Sequence, residues 1–309
     1  MPFVRKKIAD DNIYYVLVES KRSGSSVAQE VLRRFPNYIE ALAYCKEHDL
    51  PCPSPDIISP SLASRITDKL GRLNAHRPIP SETMESLNKK FELELTYHSN
   101  AIEGNRLSLK ETYLVLEKGM TIHGKSVKEH LEATNHKEAL QRMEQLVHGG
   151  EITEPDILRL HSIIMDKVRP EWSGVYRKGP VAVALSDLKP PHHSLIPSFM
   201  TSVISLLNSR SEGIDAIKQA SLTHHRFVHI HPFWDGNGRV GRILMNIKLM
   251  QAGFPPAILT RRERMFYYDV LEDADKGDLG PLTTIIAKGV ERSLDLYLDV
   301  LEGYESPIS

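Results

Sequence analysis

Apolar residues recur every three or four positions through most of the chain after about residue 60, which is the spacing of one face of an amphipathic helix. Ala139, Leu140, Met143, Leu146 and Val147, for example, share one face. Together with start and stop signals, the spacing predicts helices over about 81–104, 127–147, 153–168, 197–210, 214–229, 238–252, 261–275 and 279–302, a helix ending near Ala75, and one after the capping box Ser108-x-x-Glu111. The expected fold class is mainly α.

The first 55 residues follow a different pattern. Two runs rich in β-branched residues, 13–19 and 27–33, are separated by a Gly-Ser stretch that can turn, which predicts a β-hairpin. Helical spacing over 38–48 adds a helix, and the prolines of 51–55 then break regular structure. The sequence therefore predicts a small β-hairpin and helix module at 1–55, followed by a helical core at 60–305.

One segment interrupts the helical spacing inside the core. Tyr176 to Leu185 is short, its valines Val181 and Val183 favour extended structure, and Pro190-Pro191 ends it. The simplest interpretation is a surface loop. A strand with an open edge could instead pair with the backbone of another chain.

The strongest chemical signal is the run from His231 to Arg242, which reads HPFWDGNGRVGR. Gly236 and Gly238 flank Asn237, so the backbone can turn several N–H groups towards one point. Helical spacing begins directly after them, and a helix N-terminus attracts phosphate through its free N–H groups. The run predicts an anion-binding loop at the start of a helix.

Charged side chains complete this loop. Arg239 and Arg242 lie one turn apart and suit phosphate oxygens. Asp235 brings a carboxylate into positive surroundings, which a Mg²⁺ ion between it and the phosphates would explain. His231 stands where the chain enters the loop and is a candidate general base at neutral pH. Each residue alone fits an ordinary turn or packing position, and only the combination favours chemistry at a bound phosphate.

This run resembles the signature of the Fic family, His-x-Phe-x-Asp/Glu-Gly-Asn-Gly-Arg-x-x-Arg, and matches it at every defined position. The resemblance implies a Fic-type helical bundle that acts as a nucleotidyltransferase, a protein adenylyltransferase that moves AMP from ATP to a protein hydroxyl and releases pyrophosphate. By the same resemblance His231 deprotonates the hydroxyl, Asp235 holds Mg²⁺ across the α- and β-phosphates, Gly236, Asn237, Gly238 and Arg239 cradle those phosphates, and Arg242 binds the γ-phosphate.

The resemblance extends to two further regions. The segment with Val181, Ala182, Val183 and Ala184 lies where the family has a short β-hairpin flap, which covers the nucleotide and pairs edge-on with the backbone of the target. Tyr267 matches a family position that contacts the nucleotide, although by itself a tyrosine in this run is typical of a core residue.

A second run, from Ser99 to Gly104, ends the helix predicted over about 81–104. Alone, a glutamate before a helix-ending glycine fits a solvated position. The run resembles the inhibitory motif of the Fic subclass with an N-terminal inhibitory helix, Ser/Thr-x-x-x-Glu-Gly/Asn, with Ser99 and Glu103 at its defined positions. In that subclass the glutamate pairs with the second arginine of the signature, here Arg242. The resemblance therefore implies autoinhibition.

Three other functions stay open at this point. Family members with the same glutamate can remove AMP, so Glu103 could also orient a hydrolytic water. A metalloprotein is a second alternative, although the histidines do not form a His-Glu-x-x-His motif and a metal gives no role to Gly-Asn-Gly-Arg. The histidines in question are His192, His193, His224, His225, His229 and His231. Third, residues 1–55 could bind DNA or another protein and make the core secondary.

The composition of the chain argues against several classes of binding partner. The 309 residues carry 39 Lys and Arg against 40 Asp and Glu, so a formal net charge of -1 gives no overall attraction to nucleic acid or an anionic membrane. Two cysteines, Cys45 and Cys52, argue against a disulfide framework, and no apolar run has the length of a membrane span. We expect a cytoplasmic protein that uses ATP and Mg²⁺ and modifies a target protein, itself included. Family habit suggests a homodimer.

Overall fold

A computed structural model describes residues 2–23, 26–50, 58–183, 186 and 188–303. Within these residues the chain forms three β-strands and eleven α-helices. The expectation of a mainly α protein with a small β-containing N-terminal part is confirmed. None of the described helices has the length and apolar composition needed to cross a membrane.

The N-terminal strands form one antiparallel sheet in the order β1-β2-β3. The strands are β1 (Phe3–Ala9), β2 (Asn12–Ser23) and β3 (Ser26–Phe35), and helix α1 (Tyr38–Glu47) follows. The predicted hairpin corresponds to β2 and β3, and the predicted helix to α1. Strand β1 was not expected, so the two-stranded prediction is corrected to three strands.

The turn between β1 and β2 explains why that strand escaped prediction. Ala9 pairs with Asn12, which leaves Asp10 and Asp11 as a two-residue turn, both at positive φ, 48° and 63°. Tight hairpin turns of this kind usually carry a glycine, which is the signal that sequence reading depends on. Two consecutive aspartates give no comparable signal.

The sheet and α1 bury a small apolar cluster of their own. Its fully buried members are Val4, Tyr15, Leu17, Phe35, Ala41 and Cys45. Cys45 is a free thiol, as expected, and Cys52 lies outside the described residues. The module is attached to the core through Asp11, whose carboxylate accepts from Arg65 at 2.7 Å, and Arg65 also pairs with Glu291 at 2.8 Å.

The helices of the core follow the predicted ones within a few residues. They are α2 (Pro60–Ala75), α3 (Ser81–Ile102), α4 (Leu109–Lys118), α5 (Val127–His148), α6 (Glu154–Met165), α7 (Ile196–Asn208), α8 (Gly213–Ile230), α9 (Asn237–Gln251), α10 (Arg264–Asp275) and α11 (Gly280–Glu302). The predicted capping box is present: Ser108 accepts from the Glu111 N–H, and Glu111 accepts from the Ser108 N–H. A 3₁₀ turn at Arg261–Glu263 precedes α10.

Helix α9 lies at the centre of the core. Val240, Leu244 and Ile247 have no exposed surface, and almost every other residue of the helix is buried as well. Helices α3, α5, α6, α7 and α8 all pack on it. A helix that is covered on all sides is held rigidly, so its N-terminus, where the anion-binding loop was predicted, has a fixed position.

The segment before α7 differs from its prediction. The described residues between Tyr176 and His192 contain no strand, and Ala184, Leu185 and Asp187 lie outside the described residues. The backbone N–H of Arg177 donates to Pro232 O at 2.9 Å, which uses a group that a hairpin would need. The prolines at 180, 190 and 191 have no N–H to offer a strand partner. The predicted hairpin is therefore absent from the described part of the segment, which forms an irregular strap.

Candidate active site

The loop between α8 and α9 is locked by the side chain of Asn237. Its Oδ1 accepts from the Phe233 N–H at 3.0 Å and its Nδ2 donates to Phe233 O at 2.9 Å. Gly236 completes the turn at φ 80°, and Asn237 is only 3 % exposed. Asn237 therefore shapes the loop with its side chain, while any contact with an anion would come from the backbone N–H groups at the start of α9.

His231 caps α8 in the left-handed conformation, with φ 49° and ψ 60°. Its Nδ1 lies 3.3 Å from Val228 O. A carbonyl oxygen can only accept, so Nδ1 carries the hydrogen and the neutral ring has a free lone pair on Nε2. Burial lowers the pKa of His231 below its ordinary value of 6.5. The ring is thus neutral at physiological pH, with Nε2 able to take a proton.

Arg177, which the sequence did not single out, holds this loop from the strap. Its Nε donates to His231 O at 2.8 Å, its Nη1 to Gly179 O at 2.8 Å and its Nη2 to Pro191 O at 2.7 Å. The side chain is buried, and burial lowers its pKa from the ordinary arginine value. One arginine therefore joins both ends of the strap to the carbonyl of His231.

Asp235 and Arg239 form a charged pair beside the loop. Asp235 Oδ1 accepts from the Gly236 N–H at 2.6 Å and from Arg239 Nη2 at 3.2 Å. Arg239 is almost completely buried, and its Nη1 reaches Glu132 Oε1 on α5 at 3.2 Å. The guanidinium thus lies between two carboxylates. Asp235 keeps 37 % of its side chain exposed, which leaves oxygen available to a cation.

A buried histidine supports the loop from below. The His161 ring stacks on Phe233 with centroids 3.6 Å apart and planes 2° apart. Its Nδ1 accepts from the Gly174 N–H at 3.0 Å, so Nε2 carries the hydrogen and donates to Asp235 O at 3.1 Å. Burial is the main cause that lowers the pKa of His161 to about 4. His161 is therefore a neutral positioning group.

Arg242 lies against the end of α3. Its Nε donates to Ser99 Oγ at 3.0 Å, and its Nη2 donates to Ser99 O at 2.9 Å and to Glu103 Oε1 at 2.8 Å. Arg242 is 5 % exposed, and its guanidinium carbon lies 5.9 Å from the centre of the Tyr267 ring. The two runs that resemble Fic motifs therefore meet in space.

The position of Glu103 is defined most sharply by Gly238, the second residue of α9. A methyl group built on Gly238 would lie 2.2 Å from Glu103 Oε1 and 3.1 Å from Arg242 Nη1. Among the described residues, Nη1 of Arg242 is buried and has no hydrogen-bond partner. The Glu103 carboxylate consequently occupies the space above the helix N-terminus, next to a guanidinium N–H that lacks an acceptor.

These groups surround a cavity of about 290 Å³. The predicted residues that line it are Glu103, Val181, Ala182, Val183, His231, Asp235, Gly236, Asn237, Gly238 and Tyr267. Arg239, Arg242 and Ser99 lie behind this lining, where they orient Asp235 and Glu103. Ala184 lies outside the described residues.

The six histidines of the metalloprotein alternative do not form one cluster. His224 is buried, and its Nε2 lies 2.7 Å from the hydroxyl of Tyr267. His192 pairs with Ser194, and its ring packs on His193. His225 and His229 approach each other and share an oxygen of Asp275.

The two tryptophans of the chain lie near each other, and one of them lines the cavity. Trp234 lines it, and the ring of Trp172 lies 6.4 Å from that of Trp234 between centroids. The strap passes close by, since a methyl group on Gly179 would lie 3.1 Å from the Trp234 ring. The aromatic wall therefore contacts the segment that the sequence predicted as a flap.

The fold and the site together define an α-helical protein in which a helix N-terminus faces a cavity, a neutral histidine lies beside it, and a carboxylate is held against the second arginine of the signature. The Fic/DOC family model matches residues 151–249. The chain is 39% identical to the protein adenylyltransferase Fic of Aedes aegypti over 223 residues, which cover 71% of this chain and 44% of that relative. For the relative of the same name in Nematostella vectensis the identity is 39% over 224 residues, with 72% and 52% covered.

Solved structures agree with these relatives. Fic-1 from C. elegans superposes with a TM-score of 0.71 and 31% identity, covering 79% of this chain and 72% of that chain. A Fic domain containing signaling protein from Bacteroides thetaiotaomicron gives a TM-score of 0.70 and 28% identity, covering 78% and 97%. The chain belongs to the Fic family. It spans about half or less of the length of the two curated relatives.

Proposed function

We propose that this protein transfers AMP from ATP to a hydroxyl group of a protein and that Glu103 holds the reaction down until it is displaced. The curated relatives, which are named protein adenylyltransferase Fic, support the reaction. The proposed inhibition rests on one observation: Glu103 Oε1 accepts from Arg242 Nη2 at 2.8 Å, directly above Gly238.

In the proposed reaction His231 Nε2 takes the proton of the target hydroxyl. The hydroxyl oxygen forms a bond to the α-phosphorus of ATP, the bond from that phosphorus to the α–β bridging oxygen breaks, and pyrophosphate leaves. A positioned base of this kind contributes about 10²–10⁴-fold to the rate. The lone pair on Nε2 and the lowered pKa of His231 support this role.

The loop residues have the chemistry needed to bind the phosphates. The free N–H groups at the start of α9 can donate to an anion, and the positive end of the helix dipole attracts it. Asp235, partly exposed and oriented by Arg239, supplies oxygen ligands of the kind that Mg²⁺ prefers. Such an ion, when bound, neutralises charge on the phosphates.

The inhibition follows from competition for one arginine. The γ-phosphate needs the fork of Arg242, and in this structure the Glu103 carboxylate holds one side of that fork. A bound γ-phosphate would face a negative group instead of a cation. Breaking a partly buried ion pair such as this one can cost roughly 3–5 kcal/mol. At about 1.4 kcal/mol per tenfold in rate, this is enough to slow turnover by two decades or more.

The target would approach beside the strap. Val181 and Val183 line the cavity next to His231. We propose that this segment holds the backbone of a target protein, or of a second copy of this chain in auto-AMPylation, by strand pairing. Pairing through the backbone binds a peptide without demanding its sequence.

Label transfer tests the proposed function. The protein is incubated with Mg²⁺ and ATP that carries radioactive phosphorus at the α position. The variants are Glu103→Gln, which removes the charge and keeps the size of the side chain, and the same change combined with His231→Ala. Glu94→Gln, also on α3 and paired with His98 at 3.3 Å, is the matched control.

We expect faint labelling of protein in the wild type and in the control, at least about tenfold stronger labelling with Glu103→Gln, and none in the double variant, although ATP still binds. Arg242→Ala should stay less active than Glu103→Gln, because productive ATP needs that arginine. Equal labelling of wild type and Glu103→Gln would contradict the inhibition. Labelling that survives His231→Ala would remove His231 from the role of base.

Removal of AMP is the second candidate. Glu103 and His231 line the same cavity, and 31% of the Glu103 side chain is exposed, so the carboxylate could orient a water molecule as well as act as a brake. Protein labelled by the Glu103→Gln variant provides the substrate. Release of labelled AMP by the wild type, and its loss with Glu103→Gln, would establish this activity.

The organisation of the chain adds two proposals. We infer a division between residues 1–55 and 60–305, supported by the separate apolar cluster under the N-terminal sheet. We also infer a homodimer, on family habit alone. Sedimentation of the full chain measures the second.

A further inference from the structure

A cluster of three potential metal ligands contains none of the residues that were given a role in the proposed reaction. His225 Nε2 lies 2.9 Å and His229 Nδ1 lies 2.6 Å from the same oxygen, Oδ1 of Asp275. The three ligand atoms all lie within 4.8 Å of one another. Two imidazoles and a carboxylate therefore converge on one point.

The sequence brings these groups together through two helices. His225 and His229 are four residues apart on α8, so both rings lie on one face. Asp275 is the last residue of α10, which packs on α8. The two histidines have the same separation as those of a His-Glu-x-x-His site, and the third ligand comes from a different helix, so the residues around the histidines gave no sign of it.

The donor set selects the type of ion. Two imidazole nitrogens and one carboxylate oxygen are the ligands of zinc and similar divalent transition metals, whereas Mg²⁺ and Ca²⁺ prefer oxygen alone. In a tetrahedral zinc site neighbouring ligand atoms are about 3.3 Å apart. The two distances from histidine nitrogen to Asp275 Oδ1, 2.9 and 2.6 Å, are shorter than this by less than about 1 Å.

We propose that His225, His229 and Asp275 bind a zinc-like divalent transition metal at a site separate from the Mg²⁺ position proposed at Asp235. His229 and Asp275 line the nucleotide cavity, so a water or cavity ligand can complete the coordination. The ion joins α8 to α10. His231, the proposed base, follows His229 by two residues. The bound ion would therefore also fix the end of α8 that carries this base.

Calorimetric titration of the metal-stripped full chain with zinc chloride tests the site. The variants are Asp275→Asn, which keeps the size of the side chain, and His225→Asn combined with His229→Asn. Asp273→Asn, on the same helix but without contact to either histidine, is one control. His123→Asn, which removes an exposed histidine, is the other.

We expect one zinc ion per chain in the wild type and both controls, and about tenfold or more weaker binding in the site variants, because even indirect ligand contacts change metal affinity by that factor. Absence of binding to the wild type, or equal binding to Asp275→Asn, would overturn the proposal. If His123→Asn weakened zinc binding as much as the site variants do, the zinc would be bound by scattered surface histidines, and the proposal would fail.

Cobalt provides a measurement that needs no variant. Co²⁺ bound to two imidazoles and a carboxylate should give visible absorption bands that disappear when zinc is added. Absence of those bands at saturating Co²⁺ would also count against the site. Neither experiment contains nucleotide, so failure of the adenylyl transfer proposal would leave their outcome unchanged.

Discussion

His231 adopts a backbone conformation that few residues other than glycine adopt, with φ at 49°. Such a position persists only where its surroundings hold it. Here the N–H donates to Phe227 O at 3.1 Å, and the carbonyl accepts from the buried guanidinium of Arg177. The conformation turns the chain out of α8 and leaves the ring between Val228 and the cavity, which fixes the tautomer that a base requires.

The pH dependence of transfer should report this ring. Burial lowers the pKa of His231 below 6.5, and the nearby Glu103 charge partly raises it again. Since the neutral form is the base, kcat/KM should fall as the pH falls, with a midpoint below 6.5 that moves lower still in Glu103→Gln. Rates of the activated variant measured between about pH 5 and 9 check this. A midpoint at or above 6.5 would contradict the assignment.

The site residues of the loop between α8 and α9 could be predicted from the sequence because they are contiguous. Glycines, arginines and an aspartate at one helix start have few other uses in combination, and nearly all of the predicted side chains line one cavity or lie directly behind it. Arg177, His161 and Glu132 were missed. They contact the loop across 54, 74 and 107 residues, and nothing near them in the sequence indicates that separation.

At the scale of elements, the strap and α3 approach the start of α9 from different parts of the chain. The strap is fixed through Arg177, while α3 is fixed through Ser99 and Glu103. The Glu103 contact depends on a charge that phosphate can replace, whereas Ser99 and the strap contribute a neutral hydroxyl and neutral carbonyls. Nucleotide binding should therefore release Glu103 from Arg242 and leave the strap in place.

Arg177→Ala tests the strap. It removes donors from the partly buried carbonyls of Gly179, Pro191 and His231, and a buried group left unpaired costs at most about 1–3 kcal/mol. We expect the free energy of unfolding to fall by about 3 kcal/mol and kcat of the Glu103→Gln enzyme to fall because His231 loses its support. Urea unfolding and label transfer measure the two effects. Lys178→Ala, the exposed neighbour, is the control, and an equal effect there would argue against the strap contacts.

The helices were predicted well because the spacing of apolar residues and the capping residues are both properties of neighbouring positions in the sequence. The two helices that carry the Fic-like runs, Ser81–Ile102 and Asn237–Gln251, lie within two residues of their expected bounds. Extended structure was predicted less well. Strand β1 depends on pairing with β2. The described residues of the strap form hydrogen bonds with a loop over fifty residues away in place of the expected hairpin.

At the scale of the whole molecule, the core buries histidines as neutral groups. Burial is the main cause that lowers the pKa of His136 to about 3, of His161 to about 4 and of His224 to about 3. His136 on α5 and His161 on α6 lie near α9 and the loop before it, and His224 on α8 lies beside Gly241 of α9. Around the predicted phosphate site, therefore, the permanent positive charge comes from arginine.

Acid should therefore destabilise the protein. The unfolded histidines bind protons near pH 6.5 and the folded ones only near pH 3 to 4, so unfolding takes up protons in that window and stability falls as the pH falls. For three groups the loss between about pH 7 and 5.5 approaches 3–4 kcal/mol. Urea unfolding at both values measures it. His136→Gln should remove about one proton from the uptake, and a stability independent of pH would contradict the burial argument.

The pairing of Trp172 with Trp234 has a spectroscopic consequence. The chain contains two tryptophans: Trp234 lines the cavity, and the ring of Trp172 lies 6.4 Å from that of Trp234 between centroids. The emission of Trp234 therefore originates at the cavity and beside the strap. Stacking by an incoming purine would quench that emission at once, so stopped-flow fluorescence can time the arrival of ATP and the departure of Glu103 in the unlabelled protein.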